Sequence, residues 1–146
     1  CDTYDLPMPL NDDSYNFSFS GIKSAVINVI HNERQRDNEI RVNDMCASFQ
    51  ARAVGMIVEK VVAAIDEYDV KQVIVAGGVA ANSYLRKEIK EKVNAKNPDI
   101  EVGLPPLWCC GDNAAMIAKA SAYLFKNKMY ASLDLGVNPN WSIEEL

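Results

Sequence analysis

The sequence has 146 residues, of which 49% are hydrophobic and 24% are charged, and its formal net charge is −5. This balance is typical of one globular domain, and no apolar run approaches the roughly 20 residues that a membrane span needs. The net negative charge argues against a broad basic surface for nucleic acid, and the four cysteines, which lack framework spacing, indicate free thiols in a reducing, cytoplasmic compartment.

The first half of the chain predicts an irregular lead-in followed by two helices. Residues 1–19 contain Pro7 and Pro9 and favour an extended conformation. Ser20 is predicted to cap a short amphipathic helix over GIKSAVINVIHN, and ERQRDNEIR is predicted as a polar connector. A long helix is predicted from about Val42 to Tyr68, capped by Asn43 or Asp44. Its broad apolar stripe (Phe49, Ala53, Ile57, Val61 and Ile65) indicates burial against a sheet.

The second half alternates strands with helices. KQVIVAGG is typical of a parallel strand buried on both faces, and NSYLRKEIKEKVNAK is typical of a helix. DIEVGLP predicts a second strand, DNAAMIAKASAYLFKN a last helix, and the tail is predicted to be mostly irregular. This order indicates the α/β class. Because two buried strands are few for an independent domain, and because the chain opens on Cys1 without an initiator methionine, we expect a piece of a larger fold.

The junction VIVAGGVAANSYLR, residues 73–86, is the first candidate site. Ligands of parallel α/β sheets bind beyond the carboxyl ends of strands. Gly77 and Gly78 permit positive φ and a close approach by a ligand, and the helix N-terminus that follows suits a phosphate. Asn82 can hydrogen bond to a ribose or a base edge. The alternative is a tight turn with Asn82 as a helix cap, and the pattern alone leaves both open.

A second candidate follows the second strand, in PPLWCCGDNAAMIA. Asp112 lies in the first turn of a helix of small residues, where a carboxylate most simply caps the helix or complements its dipole. A metal site needs several ligands, and the sequence has a single histidine, His31. A third stretch, FSFSGIKSA, alternates Phe17 and Phe19 with serines as a strand does.

In this order and at these spacings, FSFSGIKSA, VIVAGGVAANSYLR and GDNAAMIA resemble the TsaD/Kae/Gcp family. Its members are tRNA N6-adenosine threonylcarbamoyltransferases, formerly labelled O-sialoglycoprotein endopeptidases. The flanks LPMPL and LGVNPNWSIEEL are similar as well, so the resemblance covers the whole chain. It implies the two-lobed fold of actin, the Hsp70 ATPase domain and sugar kinases (the ASKHA fold). Residues 1–146 would then be an incomplete C-terminal lobe, with the N-terminal lobe outside this chain.

The resemblance also implies a reaction and a set of ligands. Threonylcarbamoyl would move from threonylcarbamoyl-adenylate to N6 of the adenosine beside the anticodon. Gly77, Gly78 and Asn82 would hold the adenylate or ATP. Asp112 would be this lobe's ligand to one divalent metal ion, iron or zinc, completed by an H-x-x-x-H motif that this sequence lacks. The implied partners are tRNA and the proteins of the threonylcarbamoyladenosine pathway (TsaB/TsaE type in bacteria), with no membrane. This piece alone is expected to be inactive.

Two residues depart from the family pattern, and two other functions stay open. Gly111 stands where the family usually has the threonine of C-T-D-N, and Met8 stands where arginine is common. One alternative is an ATP-binding ATPase or kinase-like lobe, and the other is a non-catalytic paralogue that binds partners. GDNAAMIA, together with Asn82 and Asp112, favours the transferase. A metallopeptidase is disfavoured, because no H-E-x-x-H is present.

Overall fold

The computed structural model describes residues 4–10, 12, 14–140 and 142. Its elements, in chain order, are α1 (Phe19–Gln35), α2 (Val42–Glu67), β1 (Gln72–Ile74), α3 (Ser83–Lys96), β2 (Glu101–Gly103) and α4 (Ala114–Lys126), with short 3-10 helices at Gly78–Ala81 and Leu107–Cys109. The predicted α/β class and the predicted order of helices and strands are confirmed. The chain divides into two compact units, Cys1–Cys110 and Gly111–Leu146.

The sheet of the first unit has two strands in the described part of the chain, and they run parallel. Val73 is the register partner of Val102, and the Val75 N–H extends the pairing by donating to the Gly103 carbonyl at 3.0 Å. α3 makes the crossover between the strands. Because the strands are parallel, the segments that follow β1 and β2 leave the sheet at the same edge.

One face of this sheet packs against α2 and α3. The buried centre is an aliphatic cluster, contributed by both helices and by the residue before β2: Val54, Val58, Leu85, Ile89, Val93 and Ile100. Ile57, Val61 and Ile65 of the predicted α2 stripe are partly buried against this cluster. The stripe therefore packs on the sheet as predicted, although Phe49 at its start is 43% exposed.

The other face of the sheet is not covered by the described residues of the first unit. Ile74 is 71% exposed, and Gln72 on the same face is exposed too. The predicted burial of β1 on both faces is therefore wrong for this chain. The physical reason is that α2 and α3 pack on the opposite side, which holds Val73 and Val75.

The predicted start and cap of α1 need correction. α1 begins at Phe19 and its N-cap is Ser18, not Ser20, since the Ser18 hydroxyl accepts from the Gly21 N–H at 3.3 Å. Phe19 is consequently helical, so the predicted strand-like alternation of Phe17 and Phe19 is wrong. α1 also continues to Gln35, into the predicted connector.

α2 ends one residue before the predicted Tyr68, but neither of its predicted caps is used. Its N-cap position is Arg41, which makes no side-chain capping bond. Asn43 and Asp44 lie inside the first turn, where the Asp44 carboxylate pairs with the Arg41 guanidinium at 2.9 Å. An acidic side chain in the first turn still complements the helix dipole.

The lead-in packs along the helices that follow it. Leu6 is fully buried, and a Cβ at Gly21 would lie 2.6 Å from the Cβ of Pro9, so the small residue in FSFSGIKSA lets the lead-in approach α1. The Lys60 ammonium donates to the carbonyls of Asp12 and Ser14. These contacts fix an irregular segment without secondary structure of its own.

Three of the four cysteines, Cys46, Cys109 and Cys110, are free thiols, as predicted, and Cys1 lies outside the described residues. None of the helices described here is long and apolar enough to cross a bilayer.

Candidate functional site

β1 leads into a turn at Gly77 and Gly78, and the two glycines have different backbone conformations in it. Gly77 has φ +89° and ψ 173°, a conformation that is strained for any residue with a Cβ. Gly78 has no positive φ, and a Cβ there would meet no atom within 4 Å. The predicted need for positive φ is therefore confirmed at Gly77 only. At Gly78 the absent Cβ leaves open space beside the backbone.

The same turn presents backbone donors that the protein does not use. The Ala80 N–H donates to the Gly77 carbonyl at 3.0 Å, and the Asn82 N–H donates to the Val79 carbonyl at 2.9 Å. Throughout the described residues, no acceptor is found for the N–H groups of Gly78 and Val79. Adjacent unpaired N–H groups beside a residue without a Cβ form a suitable surface for an anion.

Asn82 is the N-cap of α3. Its Oδ1 accepts from the Leu85 N–H at 2.9 Å, and its Nδ2 donates to Oε1 of Gln50 in α2 at 3.2 Å. The capping alternative is thus confirmed by the geometry. A carboxamide has a second N–H and a second lone pair, so Asn82 keeps capacity for a ligand while it caps the helix. Gln50 was not singled out from the sequence, because only the fold brings α2 beside this turn.

An apolar groove adjoins Asn82. It has a volume of about 510 Å³ and is lined by α1, α2 and the 3-10 helix at Gly78–Ala81, mainly through Phe19, Met45, Phe49, Ala53, Ile57 and Val79. The carboxamides of Asn82 and Gln50 supply polar groups to the lining. The glycine turn therefore carries unpaired backbone donors and borders an apolar surface.

Arg86 joins the turn after β1 to the loop after β2. Its Nη1 donates to the Ala80 carbonyl at 2.8 Å, and its Nη2 donates to the Pro105 carbonyl at 2.8 Å. Nη1 also lies 3.9 Å from Sγ of Cys110, which is buried. Arg86 was not singled out from the sequence, although it closes the stretch VIVAGGVAANSYLR. The signal that could have found it is its place on the first turn of α3, beside the carboxyl ends of both strands.

Asp112 belongs to the second unit. The predicted cap of α4 is wrong: the cap is Asn113, whose Oδ1 accepts from the Met116 N–H at 3.2 Å. Asp112 is exposed, and the described residues give its carboxylate no hydrogen bond or ion pair. A carboxylate that neither caps a helix nor pairs with a cation is available to a ligand.

A complete metal site is not found in the described part of the chain, where no group of three or more His, Cys, Asp or Glu side chains comes together. Asp112 would be one oxygen donor, and hard or borderline cations need several ligands. The structure thus does not test the predicted ligand set, because the predicted histidine pair is not in this sequence. A Cβ at Gly111, where threonine was expected, would meet no atom within 4 Å.

The perturbed pKa values of the first unit lie where the lead-in meets α2. The Tyr15 hydroxyl donates to the Glu67 carboxylate, which raises the pKa of Tyr15 to about 12 and lowers the pKa of Glu67. The Ser14 hydroxyl, at 2.8 Å, and the Lys60 ammonium, at 3.2 Å, lower the pKa of the Asp12 carboxyl. These groups attach the lead-in to the helix.

Comparison with known proteins identifies a family for this chain. The family model described as TsaD, tRNA N6-adenosine threonylcarbamoyltransferase, matches residues 2–119. A protein of that name from Listeria welshimeri is 49% identical over 146 residues, which are 99% of this chain and 42% of the relative. Proteins of the same name from Streptococcus mutans (45% identical, 99% of this chain, 42% of the relative) and Geobacillus kaustophilus (50% identical, 93% and 40%) are also similar. The chain therefore spans 40–42% of the length of these relatives.

Proposed function

Because this chain belongs to the tRNA N6-adenosine threonylcarbamoyltransferase family, we propose that it forms the C-terminal part of such an enzyme. The complete protein transfers threonylcarbamoyl from threonylcarbamoyl-adenylate to N6 of the adenosine beside the anticodon. The observation that carries this proposal is the family match over residues 2–119, which includes the glycine turn, Asn82, Arg86 and Asp112. Residues 1–146 then belong to the C-terminal lobe of a two-lobed, ASKHA-type fold, with the N-terminal lobe outside this chain.

The adenylate lies against the turn at Gly77 and Gly78. Two features support this placement: the unpaired N–H groups of Gly78 and Val79, and the open space where a Gly78 Cβ would be. Backbone donors held by a rigid turn bind phosphate oxygens without reorganisation. Asn82, fixed by its cap bond and by Gln50, contributes its remaining amide N–H to the nucleoside. By holding the leaving group still, these residues supply part of the rate through orientation.

Asp112 is this chain's ligand to a divalent metal ion, iron or zinc, whose other ligands come from outside the chain. The support is the carboxylate itself, exposed and without a described partner once Asn113 has taken the cap. A bound metal would polarise the threonylcarbamoyl group. The chain's own contribution is to present one anionic oxygen ahead of α4, and we assign no catalytic residue to it.

The proposal includes the setting in which the enzyme works. tRNA is the acceptor, and because the net charge of −5 argues against a broad basic surface on this chain, a local basic cluster or a basic partner binds it. Partner proteins of the threonylcarbamoyladenosine pathway supply the adenylate or support the fold. Since tRNA is modified in the cytoplasm, we place the complete protein there, in keeping with the free thiols of Cys46, Cys109 and Cys110.

One assay separates this proposal from its alternatives. The complete protein and its pathway partners are incubated with threonylcarbamoyl-adenylate and unmodified tRNA, and the nucleosides are analysed by mass spectrometry. The transferase proposal predicts threonylcarbamoyladenosine in the tRNA. Hydrolysis of ATP without any tRNA product would instead identify an ATPase or kinase-like protein, and partner binding without either reaction would identify a non-catalytic paralogue.

A further inference from the structure

We propose that Arg86 is a positioning residue that fastens together the two loops at the carboxyl edge of the sheet, and so fixes the shape of the adenylate site. The inference deepens the proposed function and depends on it for the identity of the ligand. Its structural part, the fastening of the loops, rests on hydrogen bonds and can be tested without any ligand.

The guanidinium of Arg86 reaches both loops at once. Nη1 donates to the carbonyl of Ala80, in the turn after β1, and Nη2 donates to the carbonyl of Pro105, in the loop after β2, each at 2.8 Å. Nη1 also lies 3.9 Å from Sγ of Cys110, further along the second loop. The planar guanidinium serves acceptors in fixed, diverging directions, which a lysine ammonium, as a point donor, does not reproduce.

The charge of Arg86 faces carbonyl groups and not an acid. Within the described part of the chain, no carboxylate lies within 4.0 Å of this half-buried guanidinium. A cation that is partly buried without a counter-ion is unfavourable unless its hydrogen bonds are well satisfied. The hydrogen bonds to the two loops therefore hold the Arg86 side chain in its half-buried position.

α3 connects this fastening to the core of the first unit. Arg86 follows Leu85, which is 3% exposed in the aliphatic cluster, and Ile89 one turn later is 1% exposed. Asn82, which caps the same helix, ends the turn, and its N–H donates to the Val79 carbonyl at 2.9 Å. The turn at Gly77 and Gly78 is thus fixed from one rigid helix, and loss of the Arg86 fork releases the loops without removing any buried apolar group.

Two matched variants of the complete protein separate the effect of the forked guanidinium, which donates through Nη1 and Nη2, from the effect of its positive charge. Arg86→Lys keeps the positive charge and loses the planar fork, whereas Lys87→Ala removes an exposed positive charge one residue away and keeps the fork. We expect Arg86→Lys to weaken AMP binding about tenfold in calorimetric titration and Lys87→Ala to leave it unchanged. AMP affinity that is unchanged in Arg86→Lys, or that falls equally in Lys87→Ala, would overturn the role of the fork at the adenylate site.

Amide hydrogen exchange on the ligand-free protein tests the fastening itself. We expect Arg86→Lys to raise exchange in residues 77–82 and 104–110 and nowhere else. Ile89→Val serves as the control for general destabilisation, and it should loosen the core without lowering AMP affinity. Unchanged exchange in both loops of Arg86→Lys would overturn the inference whatever the ligand. If the wild-type protein binds neither AMP nor threonylcarbamoyl-adenylate, the proposed function fails, and the exchange result still decides the role of Arg86.

Discussion

Gly77 and Gly78 are adjacent and identical, yet the backbone requires a glycine at only one of them. Gly77 has φ +89°, while Gly78 has no positive φ and faces open space. The sequence predicted a glycine turn at this strand end. It could not tell which of the two glycines has a positive φ, because φ depends on the path that the chain takes into α3. The same limit applies to Asn113 and Asp112, which are equally good caps on pattern, until the helix start decides between them.

The two glycines should differ in their effect on stability. Gly77→Ala is expected to lower the free energy of unfolding by about 1–3 kcal/mol, because alanine is strained at this φ. Gly78→Ala should change it by less than about 1 kcal/mol, since the added Cβ meets no atom of the protein. Denaturant unfolding of the two variants measures the difference, and equal losses would contradict the assignment of strain to Gly77.

Asn82 should carry two separable roles. Asn82→Ala is expected to cost about 1 kcal/mol of stability through loss of the cap, while Asn82→Ser keeps a capping oxygen and most of the stability. Both variants lose the amide N–H groups, so both should weaken AMP binding by about 0.5–1.5 kcal/mol. Calorimetry and denaturant unfolding on the same samples give the two quantities. AMP affinity that is unchanged in Asn82→Ser would show that Asn82 is only a cap.

At the level of elements, the pattern of hydrophobic residues located the long helix and both strands. It did not predict which of their faces the rest of the chain covers. The predicted helix from Val42 to Tyr68 is observed as Val42–Glu67, because a sustained apolar stripe is a strong signal. The continuous apolar run around Val73 to Val75 predicted burial on both faces, but Ile74 is 71% exposed here. A run of apolar residues indicates that a strand can be buried on both faces, but other elements of the fold must pack on each face to bury it.

The cost of a substitution in the first unit should follow the burial of the side chain that it removes. Ile89→Ala is expected to cost about 2–5 kcal/mol, because Ile89 is 1% exposed within the aliphatic cluster. Ile27→Ala, in α1, is the matched control, and since Ile27 is 55% exposed its cost should stay below about 1 kcal/mol. Denaturant unfolding compares them. A loss in Ile27→Ala as large as that in Ile89→Ala would contradict the described core.

The attachment of the lead-in to α2 should depend on pH. The pKa of Glu67 is lowered by Tyr15, so this stabilising contact is present above the usual carboxyl pKa of about 4 and is lost as the pH falls. The pKa of Tyr15 is raised to about 12, so its contribution is present below the usual tyrosine pKa of about 10 and is lost as the pH rises through about 12.

An ultraviolet difference titration against Tyr15→Phe measures the Tyr15 pKa directly. The expected value of about 12 should move down toward that of an ordinary tyrosine in Glu67→Gln, which cannot hold a negative charge. Glu59→Gln, on the same helix, serves as the control and should leave the titration unchanged. A Tyr15 pKa that does not respond to Glu67→Gln would contradict the hydrogen bond between them.

At the level of the whole molecule, the motifs identified the family. The sequence could not supply the site residues that the family resemblance places outside this chain. The family resemblance is confirmed, and the chain spans 42% of a relative such as that from Listeria welshimeri. Asp112 and the glycine turn belong to different compact units. Function could be proposed from the motifs, whereas the metal site could not be built, because the histidine pair that the family resemblance implies is not in this sequence.

Metal binding should require the complete protein. This chain alone is expected to hold no stoichiometric iron or zinc, because a single carboxylate leaves the other ligand positions to water. In the complete protein, Asp112→Asn should lower the metal content and leave the protein folded, while Asp99→Asn, also an exposed aspartate, is the control. Elemental analysis of the purified proteins decides it. Stoichiometric metal on this chain alone, lost in Asp112→Asn, would contradict the need for ligands from outside the chain.

The central claim is that the adenylate of a threonylcarbamoyl transfer lies against the turn at Gly78. The most direct measurement is threonylcarbamoyl transfer to tRNA by the complete protein and its Gly78→Val variant, quantified as modified nucleoside at equal folded concentration. We expect product from the wild type and its near-complete loss in Gly78→Val, with the stability nearly unchanged, because the new side chain fills space that the protein itself leaves open. Transfer at the wild-type rate by a folded Gly78→Val protein would contradict the claim.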